Sequence, residues 1–216
     1  YVLRRRFKPE ATLEAVAEHD ADALVVVPVM LQRIMELDES VRSGHDLSSL
    51  RVTAVSGSAL PGELAIRWMD SFGDNVYNLY GSTEVAWASI ATPEDMRRAP
   101  GTAGRVPHGT IVKLYDENGR EVPRGETGRI FVGNEMSFEG YTGGGGKDVI
   151  DGLLSSGDVG HFDEDGCLFI DGRDDEMIVS GGENVFPREV EDVLSDHEAI
   201  DEAAVIGVDD EKFGQR

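Results

Sequence analysis

Apolar positions along the first hundred residues keep changing period. Residues 9–19 repeat every three to four positions, with Leu13, Val16 and Ala17 on one face, which predicts a helix. Residues 23–29 form a continuous, β-branched run of the kind buried strands carry. Helical spacing returns through Met30, Ile34 and Leu37, and residues 52–55 predict a short strand. Ala65, Trp68, Met69 and Phe72 then fall at i, i+3, i+4 and i+7 behind Pro61, a residue suited to a helix start. Residues 75–79 predict a further buried strand, and residues 1–7 an opening one. Strands and helices in alternation predict an α/β fold, a parallel sheet with helices on its faces. Such sheets collect ligands beyond the carboxyl ends of their strands.

Past residue 100 the pattern shortens. Residues 111–115 and 120–122 flank an Asn118-Gly119 turn, and residues 160–162 and 167–170 flank Asp163-Glu164-Asp165-Gly166. Short strands joined by Asn-Gly and Asp-Gly turns predict antiparallel hairpins, hence a small β subdomain. After Gly172, a Gly-Gly loop precedes Val190, Val193 and Leu194 at helical spacing, and residues 203–208 predict a strand. The expected organisation is therefore a βα-repeat sheet over residues 1–100, an antiparallel β subdomain over 101–172, and the start of a small α+β domain over 173–216.

Charge changes the picture of partners more than of fold. Twenty basic against 42 acidic residues give a formal net charge of −22. Nucleic-acid backbone binding needs clustered Lys and Arg and is excluded as an expectation. A nucleotide would be repelled at long range, so any nucleotide site must reverse the potential locally. Hydrophobic residues make up 40% of the chain, enough for a core, so disorder is not expected. The lone Cys167 cannot form an internal disulfide, reads as a packed residue, and fits a cytoplasmic setting. No run of about 18 apolar residues suggests a transmembrane helix. Oligomeric state, a homo-oligomer included, stays open.

Four polar loops carry the candidate chemistry. Tyr80-Gly81-Ser82-Thr83-Glu84 leaves a predicted strand and offers a ring face, close backbone approach, hydroxyls and a hard oxygen ligand. A carboxylate tolerates a neighbouring phosphate when a cation such as Mg²⁺ bridges them. Alone, the pentapeptide also reads as a turn whose polar residues cap a following helix. Ser155-Ser156-Gly157-Asp158 supplies a carboxylate able to accept two hydrogen bonds from a vicinal diol, each contributing roughly 1.5–3 kcal/mol. Gly172-Arg173-Asp174-Asp175 and Ser180-Gly181-Gly182-Glu183-Asn184-Val185 follow in order. The Gly143–146 run before Lys147 is not a phosphate loop, because Tyr141 and Asp148 stand where Gly and Ser or Thr are needed. Asp163-Glu164-Asp165-Gly166 brings its glycine two residues too early for a Ca²⁺ loop.

Together the four loops resemble the adenylate-forming superfamily, and among its members the acyl-CoA synthetases, or fatty acid–CoA ligases, to which the Ser180–Val185 loop followed by Phe186-Pro187 is similar. The resemblance implies ATP and Mg²⁺ as cofactors, CoA as thiol acceptor and a carboxylic acid substrate. It implies that Tyr80 stacks on adenine, with Gly81 and Ser82 beside it, that Thr83 contacts the α-phosphate, and that Glu84 binds the metal. Gly57, Ser58 and Ala59 resemble the small-residue loop on the other adenine face. Asp158 and Arg173 resemble the ribose-binding pair, and Asp175 the hinge of the small domain. Gly181, Gly182 and Glu183 resemble the lining of the pantetheine channel. The acyl pocket is expected around Gly81 and residues 85–90. The family's phosphate loop and adenylation lysine are missing, so the chain is expected to be an internal fragment, inactive alone. A carrier-protein thiol as acceptor, a non-catalytic nucleotide-binding fragment and a structural, partner-binding fragment remain alternatives.

Overall fold

Leu13 and Val16 turn one side of α1 (Pro9–Glu18) into a core that the next elements complete. They are β1 (Ala23–Val26), α2 (Pro28–Met35), α3 (Glu39–Arg42), β2 (Val52–Val55), α4 (Gly62–Phe72), β3 (Val76–Ser82), β4 (Ala86–Ala91) and α5 (Pro93–Arg98). The computed structural model describes residues 1–180, 183–195, 197, 199–200, 203–210 and 213–216. The chain divides into two compact units, the first Tyr1–Ser82 with Trp87–His108, the second Thr83–Ala86 with Gly109–Arg216.

In the first unit the strands lie in the order β1-β2-β3-β4, with β1–β2 and β2–β3 parallel. Leu64, Ala65, Trp68 and Met69 of α4 are buried, and the rings of Trp68 and Phe72 meet at 4.7 Å. Buried Asn75 holds the entry to β3. Its Oδ1 accepts from Thr53 Oγ1 and Trp68 Nε1, both at 3.0 Å, and its Nδ2 donates to the carbonyls of Phe72 (2.9 Å) and Leu50 (3.3 Å). A capping box starts α5: the Thr92 hydroxyl accepts from the Asp95 amide while the Asp95 carboxylate accepts from Thr92.

Several boundaries differ from the sequence reading. The strand predicted over 23–29 stops at Val26, because Pro28 cannot donate to a ladder and instead opens α2. It is also not fully buried: Val25 is 81% exposed, since only alternate residues face the helices. Residues 1–7 join no sheet, although Phe7 packs on the core. Residues 120–122 make a single bridge, Tyr115 to Glu121, rather than a strand.

The second unit is antiparallel. Its main strands are β5 (Ile111–Tyr115), β6 (Gly128–Gly133), β7 (Val149–Ile150), β8 (Leu153–Phe162) and β9 (Leu168–Arg173), ordered β5-β6-β8-β7 with β9 on β8. Tyr115, Phe131 and Leu153 form a small core, with the first two rings edge to face at 5.3 Å. Arg129 bridges Asp174 (Nε, 2.7 Å) and Asp148 (Nη2, 2.7 Å) while lying over the Phe131 ring. Cys167 is buried, and its amide donates to Asp163 Oδ1 at 2.7 Å, which closes the β8–β9 hairpin. Then come β10 (Ile178–Ser180), β11 (Glu183–Val185), α6 (Pro187–Ser195), β12 (Asp209–Asp210) and β13 (Gly214–Gln215), the strands ordered β11-β10-β13-β12. The strand predicted over 203–208 does not form. Its ladder starts at Asp209, where β13 supplies a partner.

Candidate active site

β2 and β3 run parallel from Thr53 opposite Val76 to Val55 opposite Asn78, so both leave the sheet at the same end. The loop after β2 carries Gly57, Ser58 and Ala59, all exposed, and the last residues of β3 are half-buried Tyr80 and exposed Gly81 and Ser82. Gly57 takes φ of 97°, a region that favours glycine, and a side chain there would press on Val27 at 3.3 Å. This end of the first unit therefore presents one aromatic ring and a run of small residues.

Thr83, Glu84 and Val85 form the turn between β3 and β4 and belong to the second unit. A strand follows the motif, so it caps no helix. Ala86, with φ of 53°, closes the turn in a left-handed conformation. The segment after β6 clasps this turn. Asn134 Nδ2 donates to the Val85 carbonyl (2.8 Å), the Phe138 amide to the Glu84 carbonyl (2.9 Å), and the Tyr141 hydroxyl to Glu84 Oε1 (2.8 Å). The hydrogen bond to Glu84 pushes the Tyr141 phenol above its ordinary range.

Asp158 and Arg173 are register partners across β8 and β9, with Arg173 Nη1 donating to Asp158 Oδ1 at 3.2 Å. Gly157, with φ of 86°, bends β8 just before Asp158. The Ser155 and Ser156 hydroxyls accept the amides of Gly157 (3.1 Å) and Asp158 (3.2 Å), and Ser156 also donates to the Ile130 carbonyl. Those hydroxyls explain why serine serves at both positions: each satisfies backbone groups that the bend takes out of the ladder. Arg173 Nε reaches Asp175 Oδ1 at 3.3 Å, and the Asp174 amide donates to the Gly157 carbonyl. Glu183 pairs with Ser180 in the β10–β11 hairpin, whereas Gly181 and Gly182 lie outside the described residues.

No group of three or more His, Cys, Asp or Glu side chains among the described residues forms a cage for a metal ion. Glu84 offers one carboxylate, a donor set that suits Mg²⁺ arriving with substrate phosphates and water rather than a cation held by protein alone. A cavity of about 560 Å³ lined by Glu39, Arg42, His45 and Asp70 contains none of the motif residues.

Residues 1–142 match the sequence model of the AMP-binding enzymes. The chain belongs to that family. It is 35% identical to the indoleacetate–CoA ligase of Aromatoleum aromaticum, over 99% of this chain and 42% of that protein. Two solved structures of similar proteins superpose closely. The amide bond synthetase McbA from Marinactinospora thermotolerans gives a TM-score of 0.90 at 32% identity, over 99% of this chain and 44% of that one. ATP-bound MatB from Rhodopseudomonas palustris gives 0.86 at 30%, over 99% and 42%. The chain thus spans well under half the length of the AMP-binding enzymes it matches.

The motif reading missed three residues. Asn134 and Tyr141 stand 49 and 57 positions from the residues they hold, and no local pattern announces them, apart from an aromatic ring stranded among glycines. Lys147 follows a glycine run that is not a phosphate loop, and its sequence context gives it no role. Its Nζ lies beside Gly157, as does the Arg173 guanidinium: a methyl group added to Gly157 would meet them at 3.3 and 3.4 Å. The strand β7, not a helix, follows Lys147.

Proposed function

We propose that this chain carries the adenine, ribose and metal side of an ATP-dependent acid–thiol ligase. The enzyme joins a carboxylic acid to AMP and passes the acyl group to CoA. The observation that carries this reading is the Asp158–Arg173 pair, held at 3.2 Å by the β8–β9 register in a chain whose first 142 residues match the AMP-binding enzymes. The acid's carboxylate attacks the α-phosphorus and pyrophosphate departs. The thiol sulfur then attacks the acyl carbon and AMP departs. Neither step needs a covalent bond to the protein, so positioning and charge neutralisation do the catalysis.

Tyr80 stacks on adenine opposite the loop of Gly57, Ser58 and Ala59, with Gly81 and Ser82 at the same strand end. Asp158 accepts the two ribose hydroxyls, and Arg173 reaches the same sugar. Thr83 contacts the α-phosphate. Glu84 would hold Mg²⁺, which supplies charge neutralisation on the phosphates. Lys147, whose ammonium lies beside Gly157 as the Arg173 guanidinium does, adds a second cation to a site where Arg173 already pairs with Asp158 and Asp175. Asp175 is the hinge of the small domain, and Gly181, Gly182 and Glu183 line the thiol's channel. The acid is a fatty acid or another carboxylic acid, received near Gly81 and residues 85–90, and the enzyme works in the cytoplasm. Similarity to a CoA ligase supports the thiol acceptor, and similarity to an ATP-bound enzyme supports the nucleotide. Because an amide bond synthetase is also similar, acyl transfer is to be assayed with CoA and with an amine as acceptor.

The test is Asp158→Ala in the full-length protein. Loss of two charged hydrogen bonds of about 1.5–3 kcal/mol each lowers ATP use roughly a hundredfold to ten-thousandfold. Pyrophosphate release is measured against ATP concentration. Unchanged ATP kinetics in a folded variant would remove the ribose assignment.

A further inference from the structure

We infer that Tyr141 is a positioning residue for the Glu84 carboxylate, fixing it in the orientation that receives the nucleotide-bound cation. The inference rests on the reading of Glu84 as that cation's protein ligand.

The evidence is convergence. One segment, residues 134–141, fixes the Glu84 turn at three points: the Val85 carbonyl through Asn134, the Glu84 carbonyl through the Phe138 amide, and Glu84 Oε1 through the Tyr141 hydroxyl. The first two set the backbone, and the third sets the side chain. Tyr141 is itself held. Its ring meets Phe138 edge to face at 4.9 Å, and its carbonyl accepts the Gly144 amide at 3.0 Å. Tyr141 is 47% exposed, so water could satisfy its hydroxyl without a carboxylate. A long, flexible acidic side chain is thus tied at its tip by a phenol whose own loop is tied down.

A phenol suits this task chemically. It donates a single proton to an ionised carboxylate, which has about four lone-pair sites, so coordination capacity remains. It carries no charge to compete with the cation. Hydrogen bonds from outer residues to metal-binding carboxylates orient them, and their loss typically weakens metal affinity by about 10–100-fold.

The experiment compares Tyr141→Phe, Glu84→Gln and the double variant in the full-length protein. Tyr141→Phe removes one oxygen and keeps the ring against Phe138. Two readouts are taken. One is the Mg²⁺ dependence of pyrophosphate release at saturating ATP. The other is Mn²⁺ affinity, by water-proton relaxation, with α,β-methylene-ATP bound. The expected result for Tyr141→Phe is a roughly tenfold rise in both metal constants, with the rate at saturating Mg²⁺ within about twofold of the parent. In the Glu84→Gln background the same change should add nothing. If Glu84→Gln shifts metal affinity and Tyr141→Phe does not, the positioning role falls while the metal assignment stands. If Glu84→Gln leaves metal affinity unchanged, the metal assignment itself falls. Tighter Mn²⁺ binding by Tyr141→Phe would make the phenol a competitor of the cation and overturn the inference.

Discussion

Two anchors, one in each unit, work by different chemistry. In the first, the approach to β3 is fixed by a neutral hub: Asn75, buried beneath α4, satisfies Thr53, Trp68 and two carbonyls at once. In the second, Arg129 ties Asp174 and Asp148 to β6, and Arg173 ties Asp158 to Asp175. A neutral hub in a buried core depends on shape and is indifferent to salt. Ion pairs near the surface depend on charge and weaken as salt shortens the screening length, about 8–10 Å at ordinary ionic strength. The first unit has ion pairs too, with Arg97 bridging Asp70 and Asp74 beside the hub, so the contrast is between the two anchors: one depends on burial, the other on register and charge.

Asn75→Ala is the strongest way to break that contrast. It strands the Thr53 hydroxyl and the Trp68 indole N–H, and should cost roughly 3 kcal/mol of stability, equally at low and high salt. Urea unfolding of the full-length protein at two ionic strengths measures it, and marked salt dependence would deny that the hub is neutral. Arg129→Met sharpens the other side. With its side chain one quarter exposed, Arg129 falls between the surface and buried regimes. Its loss should cost about 1–2 kcal/mol at low salt and less in 0.5 M NaCl, by roughly half. A cost that salt does not reduce would mean that packing on Phe131, not charge, is what Arg129 contributes. The smallest effect is expected at Ala86, which holds φ of 53° without being glycine. Ala86→Gly should stabilise the protein by up to about 1 kcal/mol, read as a small rise in melting temperature.

What the sequence revealed follows the range of the forces involved. Helical periodicity placed α1 and α4 within a residue or two, and residues 52–55 matched β2 to the residue. Local rules suffice there, because the apolar stripe and the turn signals lie within one element. Exposure at Val25 was not legible, since an apolar run does not say how many faces of a strand are covered. Nor was the fate of residues 203–208, where strand formation waits on a partner from elsewhere in the chain. The candidate site divides in the same way. Asp158 and Arg173 stood out by type and order, and the hairpin register then set them side by side. Tyr141 and Lys147 did not, because their neighbours are chosen by loop paths rather than by spacing.

The passage of four residues, Thr83–Ala86, into the second unit has a consequence for how such a gene can be cut and recombined. The chain leaves the first unit, returns to it, and leaves again, so no single crossover point separates the two. A hybrid joined after His108 would inherit Glu84 from one parent and Asn134, Phe138 and Tyr141 from the other. Shuffled relatives should therefore fail in a patterned way, with function surviving where both sides of that clasp descend from the same ancestor.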